Sequence, residues 1–205
     1  MLSDFSYIKT SELTGDIKTD VKNLLILNNK RKTYEHVKFV AEMNVKIAEL
    51  YGLETDLCEI SGYLHDISSV VSRGDMLEYA MENGWFIEEA ETKYPMLLHQ
   101  RVSAVIAEQD FKITDACVLS AIDCHTSLKA NPTAYDMALF VADKLAWDQE
   151  GEPPFYSAVK NGLKTSLESA SLAYMDFIVE HKMIFLPPLK RFDEGARFLR
   201  RVLNK

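Results

Sequence analysis

Six side chains spread along this sequence could share one task. His36, His65-Asp66, His99, His125 and Asp143 are the imidazoles and carboxylates that bind metals and move protons. Placed on helical periodicity, His36 shares a face with Val40, Met43 and Ile47. His65 stacks over Ser61 and Cys58, His99 over Val102, Ser103 and Ile106, and His125 over Ile122, Ala121 and Val118. Asp143 shares its face with Leu139, Phe140 and Trp147. Taken singly, a histidine on an apolar face is ordinarily a core residue, and a lone aspartate is a cap or hydrogen-bond acceptor. Taken together they are harder to dismiss, because an ionised carboxylate buried without a cation or donors costs several kcal/mol. A shared metal ion satisfies all of them. Imidazole and carboxylate donors without thiolate suit iron or manganese, and zinc less well. The chemistry expected of such a site is metal-assisted hydrolysis.

The elements needed to carry these residues are helices. Alternating β-branched runs bounded by turn residues are scarce, while 3.6-residue periodicity is common. Eight to ten helices are expected, over about 17–28, 34–51, 56–65, 72–84, 87–92, 96–109, 115–124, 134–147, a long run from 154 to 181, and 193–203. Thr33, Thr55, Ser72 and Thr114 are the expected N-caps, and Gly52 and Gly84 the expected left-handed stops. With no internal repeat and no linker, residues 1–205 read as a single all-α domain.

Composition narrows the function. With 23 basic against 31 acidic residues the net charge is -8, which disfavours a broad nucleic-acid surface but leaves room for one small phosphorylated ligand. Lys30-Arg31-Lys32, before the second helix, could meet a phosphate there, although such a run is ordinarily a solvated loop. The opening residues MLSDFSYIKT lack an apolar segment, and no apolar run approaches the ~20 residues of a bilayer span. Cys58, Cys117 and Cys124 form no C-x-x-C pair. Cytoplasmic location, no membrane and no nucleic-acid partner are the expectations, with a homodimer as an option. Cys124, beside His125, reads as a small buried residue, and Lys144 reads as pointing outward.

The ordered set His36, His65-Asp66, His99, His125, Asp143 resembles the H…HD…H…H…D signature of HD-domain metal-dependent phosphohydrolases. The contexts Tyr34-Glu-His-Val37, Gly62-Tyr-Leu-His-Asp-Ile67, Leu98-His-Gln100, Cys124-His-Thr126 and Val141-Ala-Asp-Lys144 are most similar to the YqeK branch, the symmetrical diadenosine-tetraphosphate hydrolases. The resemblance implies an all-helical HD domain that binds iron or a similar ion. It implies cleavage of diadenosine tetraphosphate to two ADP, with hydrolysis of another nucleotide mono- or triphosphate, or weakly catalytic nucleotide sensing, as alternatives. Carried over by position, His36, His65, Asp66 and Asp143 would be metal ligands. Asp66 would also be catalytic, orienting water or taking its proton. His99, His125 and Thr126 would contact phosphate, the histidines as cations, or help hold a second metal. The resembling branch often has Arg where this chain has Thr33, Lys where it has Ser69, and His-Pro where it reads Phe185-Leu-Pro-Pro188. His181 matches nothing in the signature.

Overall fold

The computed structural model describes residues 1–147, 151–181, 183 and 189–204; the Phe185-Leu-Pro-Pro188 segment lies outside them. Among the described residues there are eleven α-helices and no strand. They are α1 (Ile17–Leu27), α2 (Arg31–Tyr51), α3 (Thr55–Leu64), α4 (Arg73–Glu82), α5 (Glu89–Lys93), α6 (His99–Gln109), α7 (Ala116–Cys124), α8 (Ala134–Leu145), α9 (Tyr156–Leu163), α10 (Leu167–Glu180) and α11 (Lys190–Leu203). Short 3₁₀ turns at Ile67–Val70 and Pro95–Leu98 lead away from α3 and into α6.

Local chemistry sets most of the boundaries. Gly52 stops α2 at φ 67, a left-handed conformation that glycine adopts without a Cβ penalty. Ser72 caps α4 by accepting from Asp75 N, and Thr133 with Asp136 forms a capping box on α8. Three expected caps move by a residue or more. α2 begins at Arg31 rather than after Thr33, α3 begins at Thr55 itself, and Asp115 rather than Thr114 caps α7 by accepting from Cys117 N and Val118 N. The long run from 154 divides into α9 and α10. Ser166 caps the second piece, and a Cβ on Gly162 would lie 2.7 Å from Ala170 Cα, so glycine allows the chain to fold back on itself there.

Two packing features place the site. α2 is the long spine against which α1, α3 and α8 pack. At the α2–α3 crossing a Cβ on Gly62 would sit 2.5 Å from Ala41 Cα, so the two backbones meet as closely as they do only because position 62 is glycine. α8 runs through the middle, touching α2, α3, α7, α9 and α10, and Asp136 to Ala142 and Leu145 are all buried. Its central run Met137 to Ala142 is apolar on every face, as a core helix requires. Each large side chain that it buries, such as Leu139 or Phe140, is worth roughly 1.5–3 kcal/mol. α11 closes the chain against α10. No helix of the described residues is long and apolar enough to cross a membrane.

Candidate metal centre

Three of the histidines share one local device. His65 follows the last turn of α3, and its Nδ1 lies 2.8 Å from Gly62 O. His125 follows α7 in the same way, with Nδ1 2.8 Å from Ile122 O. His99 opens α6, with Nδ1 2.6 Å from Met96 O. A carbonyl only accepts, so each Nδ1 carries the hydrogen and donates to the carbonyl three residues back. For His65 and His125 that carbonyl belongs to a final helical turn otherwise short of partners. The consequence is shared: a neutral ring held this way turns a bare Nε2 lone pair away from its own backbone.

Those lone pairs converge. The rings form a row, with centroids 5.4 Å apart for His36 and His65, 4.8 Å for His65 and His125, and 4.9 Å for His125 and His99. Asp66 sits across the row. Its Oδ2 is 3.7 Å from His65 Nε2, and its Oδ1 is 3.5 Å from the Nε2 of both His99 and His125. Asp143 Oδ1 lies 3.1 Å from His36 Nε2 and 3.7 Å from His65 Nε2. Donor atoms of His36, His65 and Asp66 all fall within 4.8 Å of one another, as do those of Asp66, His99 and His125. The two groups share Asp66.

The donor set and its setting fit a cation on three counts. His65 Nε2 is buried without a hydrogen-bond partner, which costs free energy unless something electropositive meets it. His99 and His125 bring Nε2 to Nε2 at 3.1 Å although both rings donate through Nδ1. Two facing lone pairs repel unless a proton or a metal lies between them. Burial lowers the pKa of His65 to about 4, partly offset by Asp66, and burial with His125 as neighbour lowers that of His99. The C-termini of α3 and α7 both end at the cluster, and their partial negative charge favours a cation.

Each expected residue can now be located. His36, His65, Asp66 and Asp143 come together, and His99 and His125 approach Asp66 from the other side. The lowered pKa of His99 favours its neutral ring. Thr126 stays with them, its Oγ1 3.0 Å from His99 Nε2. Burial pushes the Asp66 carboxyl up, but the imidazoles of His65, His125 and His99 around it outweigh that and hold the group well below the usual carboxylate range. His181 is exposed at the end of α10, stacked 4.0 Å over Phe177 and outside the cluster. Arg31 and Lys32 are exposed on the first turn of α2. Cys124 is buried, with Sγ 3.3 Å from Ser120 O, and burial pushes its thiol above the ordinary value.

Lys144 corrects an expectation. Its side chain points inward, only 11% exposed, and pairs with Asp143. The signal was available, because a helix buried on every side leaves no outward face for its lysine. Gln100 was missed altogether. It is buried behind His99, and its Oε1 accepts from Thr126 N at 3.1 Å and Ser127 N at 3.3 Å, which ties the segment after His125 to α6. Ser68 Oγ donates to His99 O at 2.9 Å and meets Ser103 Oγ at 2.9 Å, which fixes the turn after Asp66 against the same helix.

The HD domain family model matches residues 33–148, the stretch that contains every member of the cluster. The chain belongs to the HD-domain family. Among relatives of this HD domain, an uncharacterized protein in the pepC 5′ region of Lactococcus lactis subsp. cremoris is 34% identical over 162 residues, covering 77% of this chain and 83% of that protein. A symmetrical bis(5′-nucleosyl)-tetraphosphatase of Staphylococcus aureus is 34% identical over 116 residues, 55% of this chain and 57% of its own length. The fold matches a crystal structure from Clostridium acetobutylicum, titled a predicted HD superfamily hydrolase involved in NAD metabolism, with a TM-score of 0.79 at 22% identity, covering 95% of this chain and 100% of that one. At this level the protein is an HD-domain phosphohydrolase.

Proposed function

We propose that this HD domain hydrolyses a phosphoanhydride bond of a nucleotide at a two-metal centre. His36, His65, Asp143 and Asp66 would hold one ion, and Asp66, His99 and His125 the other, with iron the expected metal and manganese or zinc the alternatives. The observation that carries this reading is Asp66 reaching imidazoles on both of its sides. The substrate we favour is diadenosine tetraphosphate, cut symmetrically to two ADP, in line with the name of the Staphylococcus aureus relative. We take residues 1–205 as one functional unit, because α10 packs on the helix that carries Asp143.

Ions held at such a centre would supply a water activated near neutral pH and would offset charge on the phosphoryl oxygens. The protein's own groups do the rest. Asp66 stays ionised, so it orients the attacking water better than it keeps that water's proton. Thr126, whose Oγ1 lies 3.0 Å from His99 Nε2, would offer its hydroxyl to a phosphate oxygen, with its backbone N donating to Gln100 Oε1. The Nδ1 hydrogens of His65, His99 and His125 on backbone carbonyls orient the three rings toward the centre.

A second reading is hydrolysis of a nucleotide with a shorter phosphate chain. Thr33 and Ser69 stand where the resembling branch often carries Arg and Lys, and the Ser69 hydroxyl is buried without a hydrogen-bond partner. Both readings are tested by metal analysis of the purified protein followed by chromatography of products from diadenosine tetraphosphate and from nucleoside mono- and triphosphates. ADP as the sole product of the dinucleotide supports the first. Turnover restricted to the mononucleotides supports the second. Full activity of Asp66→Ala overturns both.

A further inference from the structure

Lys144 is a cation buried inside a cluster whose donors suit cations, and its placement needs a reason. Neighbouring residues on a helix diverge by about 100°, so Lys144 does not face Asp143 by default. It reaches Asp143 because its stem folds back over the helix, with Nζ 5.1 Å from the Phe140 ring centroid and 5.4 Å from that of Tyr174. A lysine buried this far is tolerated only when its charge is matched. The match is Asp143 Oδ2, and Nζ also lies 3.5 Å from His125 O.

The division of labour on Asp143 is the informative part. Oδ1 faces His36 Nε2 at 3.1 Å and His65 Nε2 at 3.7 Å. Oδ2 belongs to Lys144. A carboxylate free at both oxygens can rotate about its last torsion or offer both to one ion. Held at Oδ2, this one can do neither. The neighbours of Nζ are a carboxylate, a carbonyl and two ring faces, and that environment fits a residue acting through Asp143 better than one reserved for substrate. Its contact with His125 O also joins α8 to the end of α7, so it spans both halves of the cluster.

The geometry points to Lys144 as a positioning residue that occupies Oδ2 of Asp143, leaves Oδ1 as that residue's single donor toward His36 and His65, and so sets the affinity and coordination of the ion bound there. This rests on the reading of Asp143 as a metal donor proposed above.

The test is titration of the metal-free full chain with Co²⁺, followed by calorimetry and by visible absorption, which reports ligand geometry. Loss of a partner behind a metal ligand typically costs 10–100-fold in affinity. Lys144→Met is therefore expected to bind Co²⁺ about 10–100-fold more weakly, with an altered spectrum. Lys144→Arg, which keeps a cation, is expected to stay within a few-fold of wild type. Adding Lys144→Met to Asp143→Asn is expected to cost nothing further. Lys144→Gln is read in the same way if Lys144→Met does not fold. Wild-type affinity and spectrum in Lys144→Met overturn the inference. Unchanged Co²⁺ binding with weaker competition by inorganic tripolyphosphate moves Lys144 to the substrate, which overturns it as well. Wild-type binding by Asp143→Asn is a different failure, because it removes Asp143 from the metal reading itself.

Discussion

His99 and His125 face each other Nε2 to Nε2 across 3.1 Å, while each ring donates its Nδ1 hydrogen to its own backbone. Rotation of either ring would give up that hydrogen bond. Such a pair suits a cation beside it, and the first expectation concerns the removal of one ring. Wild-type protein reconstituted with Mn²⁺ or Fe²⁺ should retain two ions per chain, one for each donor group. His125→Ala should retain one. Elemental analysis after exhaustive dialysis checks this, and two retained ions in the variant would remove His125 from the centre.

Asp66 is shared by both groups, so Asp66→Ala should be more damaging than any single histidine change. Turnover should fall by more than about 100-fold, the upper range for losing a partner behind a ligand. Thermal unfolding provides a second readout. An ion present at 100 times its Kd stabilises the fold by about 2.7 kcal/mol. For a chain of this size that is a Tm shift of about 5–10 °C. A chelator should lower the wild-type Tm by this amount and leave Asp66→Ala nearly unmoved.

In the metal-free protein, His65 has a pKa lowered to about 4 by burial. The unfolded chain takes up that proton below about 6.5, where an ordinary histidine titrates. The folded chain refuses it until about pH 4. Stability is thus fully present above pH 6.5 and is lost as pH falls toward 4. His99 acts in the same direction, and Asp66 and Asp143, whose pKa values are lowered, add their losses below the ordinary carboxylate range. Urea midpoints measured with chelator present should drop across this window, and more gently in His65→Gln. Equal slopes for the two proteins would contradict the assignment.

Gly62→Ala should cost about 3 kcal/mol or more. The added Cβ would lie 2.5 Å from Ala41 Cα, and backbone cannot give way there as a flexible side chain could. The control is Gly74→Ala, where the nearest atom is Ser72 Oγ at 3.8 Å. Urea melts of the two variants separate a close helix crossing from an ordinary loss of glycine.

Much of this was readable from residue types and spacing. The helices follow from periodicity and from caps such as Ser72, Thr133 and Gly52. The six cluster residues follow from their inward-facing or helix-end positions. What spacing could not show was which donors group together. Asp66 next to His65 in sequence says nothing of its reach to His99 and His125, because that depends on how α3, α6 and α7 meet. The inward turn of Lys144 depends on the burial of the whole of α8, which its own position in the sequence does not show. The break between α9 and α10 was hidden because Gly162 is tolerated within a helical pattern and marks a fold-back only once Ala170 is packed against it.

Gly62 carries a consequence beyond its packing. Its missing side chain lets α3 dock on α2, and its carbonyl also receives the His65 Nδ1 hydrogen. One residue thus serves both the docking of two helices and the chemical state of a donor. His36, on α2, can meet that donor only after the docking. Metal uptake therefore reports tertiary assembly: a chain with its helices formed but undocked would hold a correctly protonated His65 and still lack a site. Ion binding should lag helix formation in refolding and coincide with burial of Ala41.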